Sequence, residues 1–248
     1  MIPPQRLRRL QTVIEQRLDI VHVALEALYH RHNVSAILRT CDALGIHHVH
    51  LVEGTFKASK GAARGAERWL DLSYHPDPAT AIRAIRQAGC TLWVADLDDD
   101  SVAPEDVPIA ANGPICLWFG AELYGVSDEA RQAADGVITI PMRGFAQSLN
   151  VSVAAALALR PIAERARQLG QPALLPEGVR QATLQEWLAR EEAARTGAQR
   201  RSSAGAGAGP MGPGAAGSGA TGSGATDSGE AAPTPGAAST GSASGAGA

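Results

Sequence analysis

The sequence predicts an α/β fold with a mainly parallel sheet and helices on both faces. Short runs of apolar and β-branched residues alternate along the chain with segments whose apolar residues recur at helical spacing. This alternation is typical of doubly wound sheets, in which a helix connects one strand to the next. The composition agrees, because 248 residues that are 45% hydrophobic and 19% charged suffice for one sizeable domain and an appendage.

Four regions are expected along the chain. A basic N-terminal helix at residues 1–19 precedes an α/β domain at residues 20–160, and a helical extension follows at residues 161–201. In residues 202–248, 14 of the 47 positions are glycine, and most others are alanine, serine, threonine or proline. These residues offer too little apolar surface for a core, so the tail is expected to be disordered.

The first elements follow from apolar spacing. Residues 6–17 have helical periodicity, and residues 19–25 are suited to a buried strand. A polar loop is predicted at residues 29–33. A helix is predicted at residues 34–44, where Gly45 provides the stop.

The next strand, residues 47–52, is predicted to be short and alternating. Residues 54–72 carry Lys57, Lys60, Arg64 and Arg68, and they indicate either a mobile segment that faces the substrate or a long connector. Asp77 and Pro78 form a helix start, and that helix is expected to end at Gly89.

Two more strands are predicted at residues 90–95 and 115–119, and Gly120 follows the second of them. Ser127 is expected to cap a short helix that has two acidic residues in its first turn. The next strand is predicted at residues 137–142.

The segment after that strand is the most informative part of the chain. Residues 143–144 indicate a turn and residues 145–150 a polar loop. An alanine-rich helix at residues 151–159 is expected to be buried against the sheet or a second copy of the chain, and to continue to Leu169. A last helix is predicted at residues 182–194. The loop contains three hydrogen-bonding side chains, those of Gln147, Ser148 and Asn150.

The cysteines and the hydropathy pattern set limits on the protein's environment. Cys41, Cys90 and Cys116 are widely spaced in apolar surroundings and form no CxxC motif. Buried, reduced thiols in a cytoplasmic protein are therefore expected. The sequence has neither an apolar span of about 18 residues nor a signal-peptide core, so neither membrane insertion nor export is predicted.

A net charge of -3 argues against a uniformly basic nucleic-acid binder. The arginines, however, gather near the two ends of the folded part: Arg6, Arg8, Arg9, Arg17, Arg160, Arg165, Arg167, Arg180, Arg190 and Arg195. Two terminal helices would then frame a basic surface. The alternative is that these are solvated helix faces, as the neighbouring Glu164 and Glu186 allow.

Three stretches resemble, in the expected order, the signature motifs of the SPOUT superfamily of RNA methyltransferases. The resemblance is to the branch that methylates a ribose 2′-hydroxyl. The stretches are HNVSAILRTCDALGI at 32–46, FGAELYGVSDEA at 119–130 and IPMRGFAQSLNVSVAAA at 140–156. The resemblance covers about residues 6–192 and excludes the tail.

This resemblance implies properties that periodicity does not show. It implies a deep trefoil knot in the C-terminal part, which holds S-adenosylmethionine in a bent pose, and a homodimer that packs across the knot. It implies no metal requirement. The alanine-rich helix is compatible with such close packing.

The resemblance also implies a set of site residues. Its catalytic positions correspond to Asn33, Arg39, Glu122, Ser148 and Asn150. The cofactor is expected to be held largely by backbone groups near Ala95, Gly120, Ile140 and Leu149. Many family members have threonine at the first of these positions, a change that a main-chain contact tolerates. The residues expected to bind RNA are Arg8, Arg9, Lys60, Arg165 and Arg167.

Simpler interpretations of the same residues stay open at this point. Asn33, Ser148 or Asn150 can be a helix cap, and Gly120 a tight turn. Ile140 and Leu149 can be plain core residues. An arginine side chain is a very weak base, because its guanidinium holds its proton far above neutral pH. Arg39 is therefore either a base assisted by a substrate phosphate or a group that only binds the phosphate.

The implied reaction is methylation of a ribose 2′-hydroxyl in tRNA, at guanosine 18 of the D-loop, with S-adenosylmethionine as methyl donor. The terminal basic helices and the absence of an added N-terminal RNA-binding domain favour tRNA over ribosomal RNA. Methylation of ribosomal RNA is one alternative, and a non-catalytic RNA-binding dimer is another. A small-molecule enzyme on an ordinary nucleotide-binding sheet would need a G-x-G-x-x-G turn, which the sequence lacks.

Overall fold

The computed structural model describes residues 2–52, 65–109, 113–121 and 124–205, with side chains to residue 196. These residues form six strands and six α-helices. The strands are β1 (Leu18–Glu26), β2 (Ile46–Val52), β3 (Asp71–Tyr74), β4 (Thr91–Ala95), β5 (Ile115–Phe119) and β6 (Gly136–Ile138). The helices are α1 (Pro4–Ile14), α2 (Arg31–Leu44), α3 (Pro78–Gln87), α4 (Asp128–Ala133), α5 (Val151–Gln168) and α6 (Glu177–Gly205).

The six strands form one parallel sheet in the order β3-β2-β1-β5-β4-β6. At its centre Val23 of β1 lies beside Val49 of β2 and Leu117 of β5. The order reverses direction between β1 and β5, and ligands of open α/β sheets bind near the carboxyl ends of strands at such a reversal. This topology confirms the predicted α/β class with a mainly parallel sheet.

The two faces of the sheet are covered by different helices. Helices α2 and α5 pack on one face, where Ile37 and Leu159 join a core with Val23 and Leu117. Helices α3 and α4 cover the other, where Ile85 and Trp118 belong to the second core. Burial on both faces explains why β2 is buried almost throughout, whereas an alternating strand was predicted.

Helices α1 and α6 bring the two ends of the folded chain together. Leu10 and Ile14 of α1 pack against Leu175 and against Trp187 of α6, whose side chain is 1% exposed. The arginine that follows α1, Arg17, is fully buried and pairs with Asp42. Placing Arg17 on the basic surface was therefore wrong.

The predicted helix starts are confirmed at two caps. The carboxylate of Asp77 accepts a hydrogen bond from the backbone N–H of Thr80 at 2.6 Å, and Ser127 caps α4 through the N–H of Ala130 at 3.3 Å. The sequence placed the start of α2 three residues late, because α2 begins at Arg31. The last helix is also longer than predicted and reaches Gly205, so residues 202–205 of the predicted disordered tail are helical.

Two strand predictions were wrong in detail. The sequence missed β3 because Asp71–Tyr74 is a short edge strand with exposed polar residues, which lacks the apolar signal of a buried strand. The sequence also extended β6 to residue 142, whereas the strand ends at Ile138. Pro141 has no N–H to donate to a neighbouring strand, and the chain leaves the sheet here.

Candidate active site

A cavity of about 430 Å³ lies at the carboxyl ends of β4, β5 and β6. The loop from Gln147 to Asn150 and the first turns of α5 complete its wall. Its volume falls in the range of about 300–1,000 Å³ that is typical of small-molecule sites. The described residues form it from three separate parts of the chain.

The four residues predicted to hold the cofactor line this one cavity. Ala95 ends β4, Gly120 follows β5, Ile140 follows β6, and Leu149 belongs to the loop before α5. Within the described residues, the backbone N–H groups of Ile140 and Leu149 have no hydrogen-bond partner in the chain. They are therefore available to a bound molecule, and an adenosine derivative with several acceptors fits this mainly apolar space.

Gly120 shows why one of these positions excludes a side chain. A Cβ atom built on Gly120 would lie 2.0 Å from the carbonyl oxygen of Gly125. The backbone segments at Gly120 and Gly125 thus lie closer together than any residue other than glycine at position 120 would permit. Gly120 is therefore part of a tight turn, as the simpler interpretation has it, and it is also part of the cavity wall.

Asn150 has two roles in the structure. Its side-chain oxygen accepts hydrogen bonds from the backbone N–H and the hydroxyl of Ser152, at 2.9 and 2.6 Å, and so it caps α5. Its amide nitrogen donates to the side-chain oxygen of Asn33 at 3.3 Å. Asn150 therefore caps α5 and also contacts Asn33, while Ser148 lines the cavity and does not cap the helix.

Asn33 does not cap α2. It lies inside the first turn, since His30 occupies the cap position, and its side chain is buried. Asn33 also lines a second cavity of about 60 Å³ beside Tyr29 and Tyr124. The Asn33–Asn150 pair therefore connects the first and third motif segments at the boundary between the two cavities.

Arg39 lies on the exposed side of α2. Its Nε donates to the carbonyl oxygen of Ser35 at 3.3 Å, one helical turn earlier. In the part of the chain that the structure describes, its guanidinium forms no ion pair, and the residue does not line the larger cavity. Within a single chain, Arg39 therefore lies outside the wall of the larger cavity, which contains Ser148 and Asn150.

Two predicted site residues, Glu122 and Lys60, lie outside the described residues.

The remaining residues predicted to bind RNA differ in their exposure and in their hydrogen bonds. Arg8 and Arg9 are exposed on α1. Arg165 donates to the carbonyl oxygen of Glu105, and Arg167 donates to those of Leu44 and Gln16. The last two guanidinium groups therefore hold neighbouring segments in place.

Asp96 lines the larger cavity but was not predicted from the sequence, and Gln147, noted in the polar loop without a role, also lines it. Asp96 follows directly after β4, and a polar residue at the carboxyl end of a predicted strand was a usable signal. Its carboxylate pairs with Arg131 of α4, which also reaches Asp98 at 3.3 Å. Among the described lining residues, Asp96 is the one with a charged side chain.

The described residues contain neither a metal-binding cluster of side chains nor a helix suited to cross a membrane. No group of three or more histidine, cysteine, aspartate or glutamate side chains there is arranged to hold a metal ion. No helix in the same part of the chain combines the length and apolar character that a membrane span requires.

Comparison with known proteins gives consistent matches. The SpoU rRNA Methylase family matches residues 20–160. A tRNA (guanosine(18)-2'-O)-methyltransferase of Thermus thermophilus is 39% identical over 193 residues, which cover 75% of this chain and 96% of that protein. The enzyme of the same name from Escherichia coli K12 is 35% identical over 190 residues, covering 74% of this chain and 82% of the relative.

Solved structures agree with these matches. The Aquifex aeolicus TrmH/SpoU tRNA modifying enzyme superimposes with a TM-score of 0.67 at 32% identity, covering 75% of this chain and 96% of that one. The SpoU methyltransferase AviRb from Streptomyces viridochromogenes, in complex with AdoMet, gives a TM-score of 0.53 at 26% identity. That match covers 64% of this chain and 62% of AviRb.

Proposed function

Because the chain belongs to the SpoU rRNA Methylase family, we propose that it transfers a methyl group from S-adenosylmethionine to the ribose 2′-hydroxyl of guanosine 18 in tRNA. The observation that carries this proposal is the cavity at the carboxyl ends of β4, β5 and β6. It is lined by all four predicted cofactor residues and by Ser148, and Asn150 connects it to Asn33. The names of the relatives from Thermus and Escherichia coli support tRNA and guanosine 18 as the substrate.

The cofactor supplies an electrophilic methyl group on a sulfonium centre. The chain's own contribution is to hold the cofactor, to position the ribose and to accept its proton. We assign cofactor binding to backbone groups of Gly120, Ile140 and Leu149 and ribose positioning to Ser148 and Asn150. Glu122 remains a proposed member of this site on the motif alone.

We assign Arg39 to the RNA phosphate next to the reacting ribose, either as a binding group or as the proton acceptor. Arg39→Lys separates these roles, because lysine keeps the charge but loses the bidentate geometry. If Arg39 only binds phosphate, the variant raises the KM for tRNA and nearly retains kcat. If Arg39 takes the proton, kcat falls at saturating tRNA.

The position of Arg39 also supports a homodimer in which this arginine completes the site of the partner subunit. Val153 and Leu157 of α5 are 46% and 50% exposed, so α5 has an uncovered apolar side near the cavity. A second copy of the chain would cover it. Mixing Arg39→Ala protein with Ser148→Ala protein tests this arrangement, because mixed dimers regain one intact site. Two inactive variants that stay inactive after subunit exchange contradict it.

The C-terminal trefoil knot is part of the same proposal. It rests on the motif resemblance and on the family match over residues 20–160. We further place the enzyme in the cytoplasm, where its tRNA substrate is.

The decisive experiment is transfer of labelled methyl from S-adenosylmethionine to unmodified tRNA transcripts. The modified nucleotide is then mapped, and a transcript with 2′-deoxyguanosine at position 18 serves as the matched control. We expect label at guanosine 18 and none in the control. Label that appears only in ribosomal RNA contradicts the tRNA assignment and leaves the type of reaction intact.

A further inference from the structure

The smaller cavity is bordered by two tyrosines that the fold leaves in solvent. Tyr29 is 65% exposed and Tyr124 is 83% exposed, and both line the cavity together with Asn33. Neither ring belongs to the hydrophobic clusters of the described residues. Packing therefore does not explain why large aromatic side chains occupy these two positions.

The backbone holds this region in an unusual conformation. The chain leaves β1 through Ala27, whose φ is 52°, in the left-handed region that residues other than glycine rarely adopt. Ala27 lines the same small cavity. Two residues later, Tyr29 begins the connection to α2, where the rings of His30 and His32 stack with their centroids 5.5 Å apart.

The small cavity adjoins the proposed methylation site. Asn33 lines the small cavity and accepts the hydrogen bond from Asn150, which lines the large one. Ala121 lines both cavities. A nucleotide whose 2′-oxygen faces the large cavity at this boundary therefore has its base within reach of the two tyrosines.

Exposed aromatic rings at such a place suit an unstacked nucleobase. When an enzyme takes a nucleotide out of folded RNA, the base loses its stacking on its neighbours, and an aromatic side chain can replace that contact. Stacking of a base on an aromatic side chain strengthens binding by about tenfold to a hundredfold.

We propose that Tyr29 and Tyr124 form the stacking site for the base of the nucleotide that is methylated. The site takes a purine ring from the substrate RNA and turns the attached ribose toward Asn33 and Asn150. This inference rests on the proposed function and adds to it the recognition of the base.

The test combines protein variants with an RNA variant. Tyr29→Ala and Tyr124→Ala remove the rings, while Tyr29→Phe and Tyr124→Phe keep them. On tRNA we expect each alanine variant to lower kcat/KM about tenfold or more, in keeping with the loss of one stacking contact, and each phenylalanine variant to stay within about threefold of the unmodified protein. Affinity for S-adenosylmethionine, measured by calorimetry, should stay unchanged in all four.

A tRNA with an abasic ribose at position 18 completes the cycle. Without a base there is nothing to stack, so the alanine variants should methylate this RNA at the same rate as the unmodified protein. An alanine effect that persists on the abasic RNA, or a phenylalanine variant as impaired as the alanine variant, overturns the stacking site. Absence of methyl transfer to any tRNA by the unmodified protein would instead refute the proposed function.

Discussion

The side-chain amide of Asn150 donates a hydrogen bond to the side-chain oxygen of Asn33 across a sequence separation of 117 residues. This contact joins the first turn of α2 to the N-terminus of α5. The same asparagine caps α5, so a substitution at this position acts on the site and on the helix.

Two variants of Asn150 separate these effects. Asn150→Ser keeps a capping oxygen but lacks the amide nitrogen that donates to Asn33. Asn150→Ala loses both contacts. We expect the alanine variant to lose about 1 kcal/mol of unfolding free energy and the serine variant about half of that or less. Both should lose methyl transfer by a similar factor, about tenfold or more. Chemical unfolding and single-turnover kinetics measure the two effects, and full activity in Asn150→Ser would show that the Asn33 contact is dispensable.

Asp96 is expected to strengthen binding of the positively charged cofactor. Asp96→Asn removes the charge from the described lining and should weaken binding of S-adenosylmethionine about threefold to tenfold, the effect of one charge-assisted contact. Asp98→Asn is the matched control, because Asp98 also pairs with Arg131 but does not line the cavity. Isothermal titration calorimetry measures both. Equal losses in the two variants would mean that Asp96 acts through Arg131 alone.

Gly120→Ala tests the close approach of two loops. The new Cβ would meet the Gly125 carbonyl oxygen at 2.0 Å, so one backbone segment must shift. We expect a destabilisation of about 1–3 kcal/mol, typical of overpacking, and loss of measurable cofactor binding. In Gly144→Ala the added Cβ meets no described atom within 4 Å, and this control should retain binding and stability. Unchanged binding in Gly120→Ala would contradict the close contact.

The histidines of β1 and β2 predict a loss of stability in acid. His22 Nδ1 lies 3.2 Å from His50 Nε2, and burial together with neighbouring histidines lowers the pKa of His22 to about 3 and that of His50 to about 4. The unfolded chain therefore binds more protons below pH 6.5, and the unfolding free energy falls as the pH drops from 6.5 toward 4. The slope is roughly 1 kcal/mol per pH unit for each histidine. Urea unfolding at several pH values should show that the unfolding free energy of His50→Gln falls less steeply as the pH drops. An unchanged slope in this variant would contradict the assignment of the acid sensitivity to His50.

His48 predicts the opposite dependence above neutrality. Burial opposes its charge, but hydrogen bonds to Asp19 and Asp71, both at 3.0 Å, raise the pKa of His48 to about 9. The stabilisation of the folded state by protonated His48 is fully present below pH 6.5, and it is lost as the pH rises toward 9. His48→Gln should be less stable at pH 6.5 and less sensitive to pH between 6.5 and 8.5. A variant with the same alkaline decline as the unmodified protein would contradict this assignment.

Trp187 is expected to be the main contact between α6 and the rest of the fold. Its ring packs on Leu10 and Ile14 and lies 5.3 Å from the guanidinium carbon of Arg17. Trp187→Ala should cost about 3–5 kcal/mol of unfolding free energy. Val179→Ala is the control on the same helix, since Val179 is 41% exposed, and it should change stability by about 0.5 kcal/mol or less. A small loss in Trp187→Ala would show that α6 is held elsewhere.

The sequence predicted the elements whose signal is local. Glycine at the end of α2, aspartate and proline at the start of α3, and the apolar runs of β1, β4 and β5 each act within a few residues. The cofactor residues were predicted from a motif, and three separate parts of the chain do meet at one cavity. The motif resemblance carried that information, because the hydropathy pattern of each segment alone does not indicate that the three segments meet.

The features that the sequence did not predict depend on contacts between residues that are far apart along the chain. Arg17 looks like any arginine at the end of a basic helix, and only the fold brings Asp42 and Trp187 around it. Likewise, β3 is a strand because β2 offers it a free edge, whereas Leu72 is the one aliphatic residue among its own four. No local pattern contains either relationship.

The pairing of α1 with α6 has a consequence for synthesis on the ribosome. Leu10 and Ile14 emerge first, yet Trp187, which covers them, is among the last folded residues to leave the exit tunnel. At about 5–20 residues per second, the nascent N-terminus keeps these apolar side chains uncovered for on the order of ten to thirty seconds. During that interval these apolar side chains stay accessible to chaperones, and the two ends can close once Trp187 has left the exit tunnel.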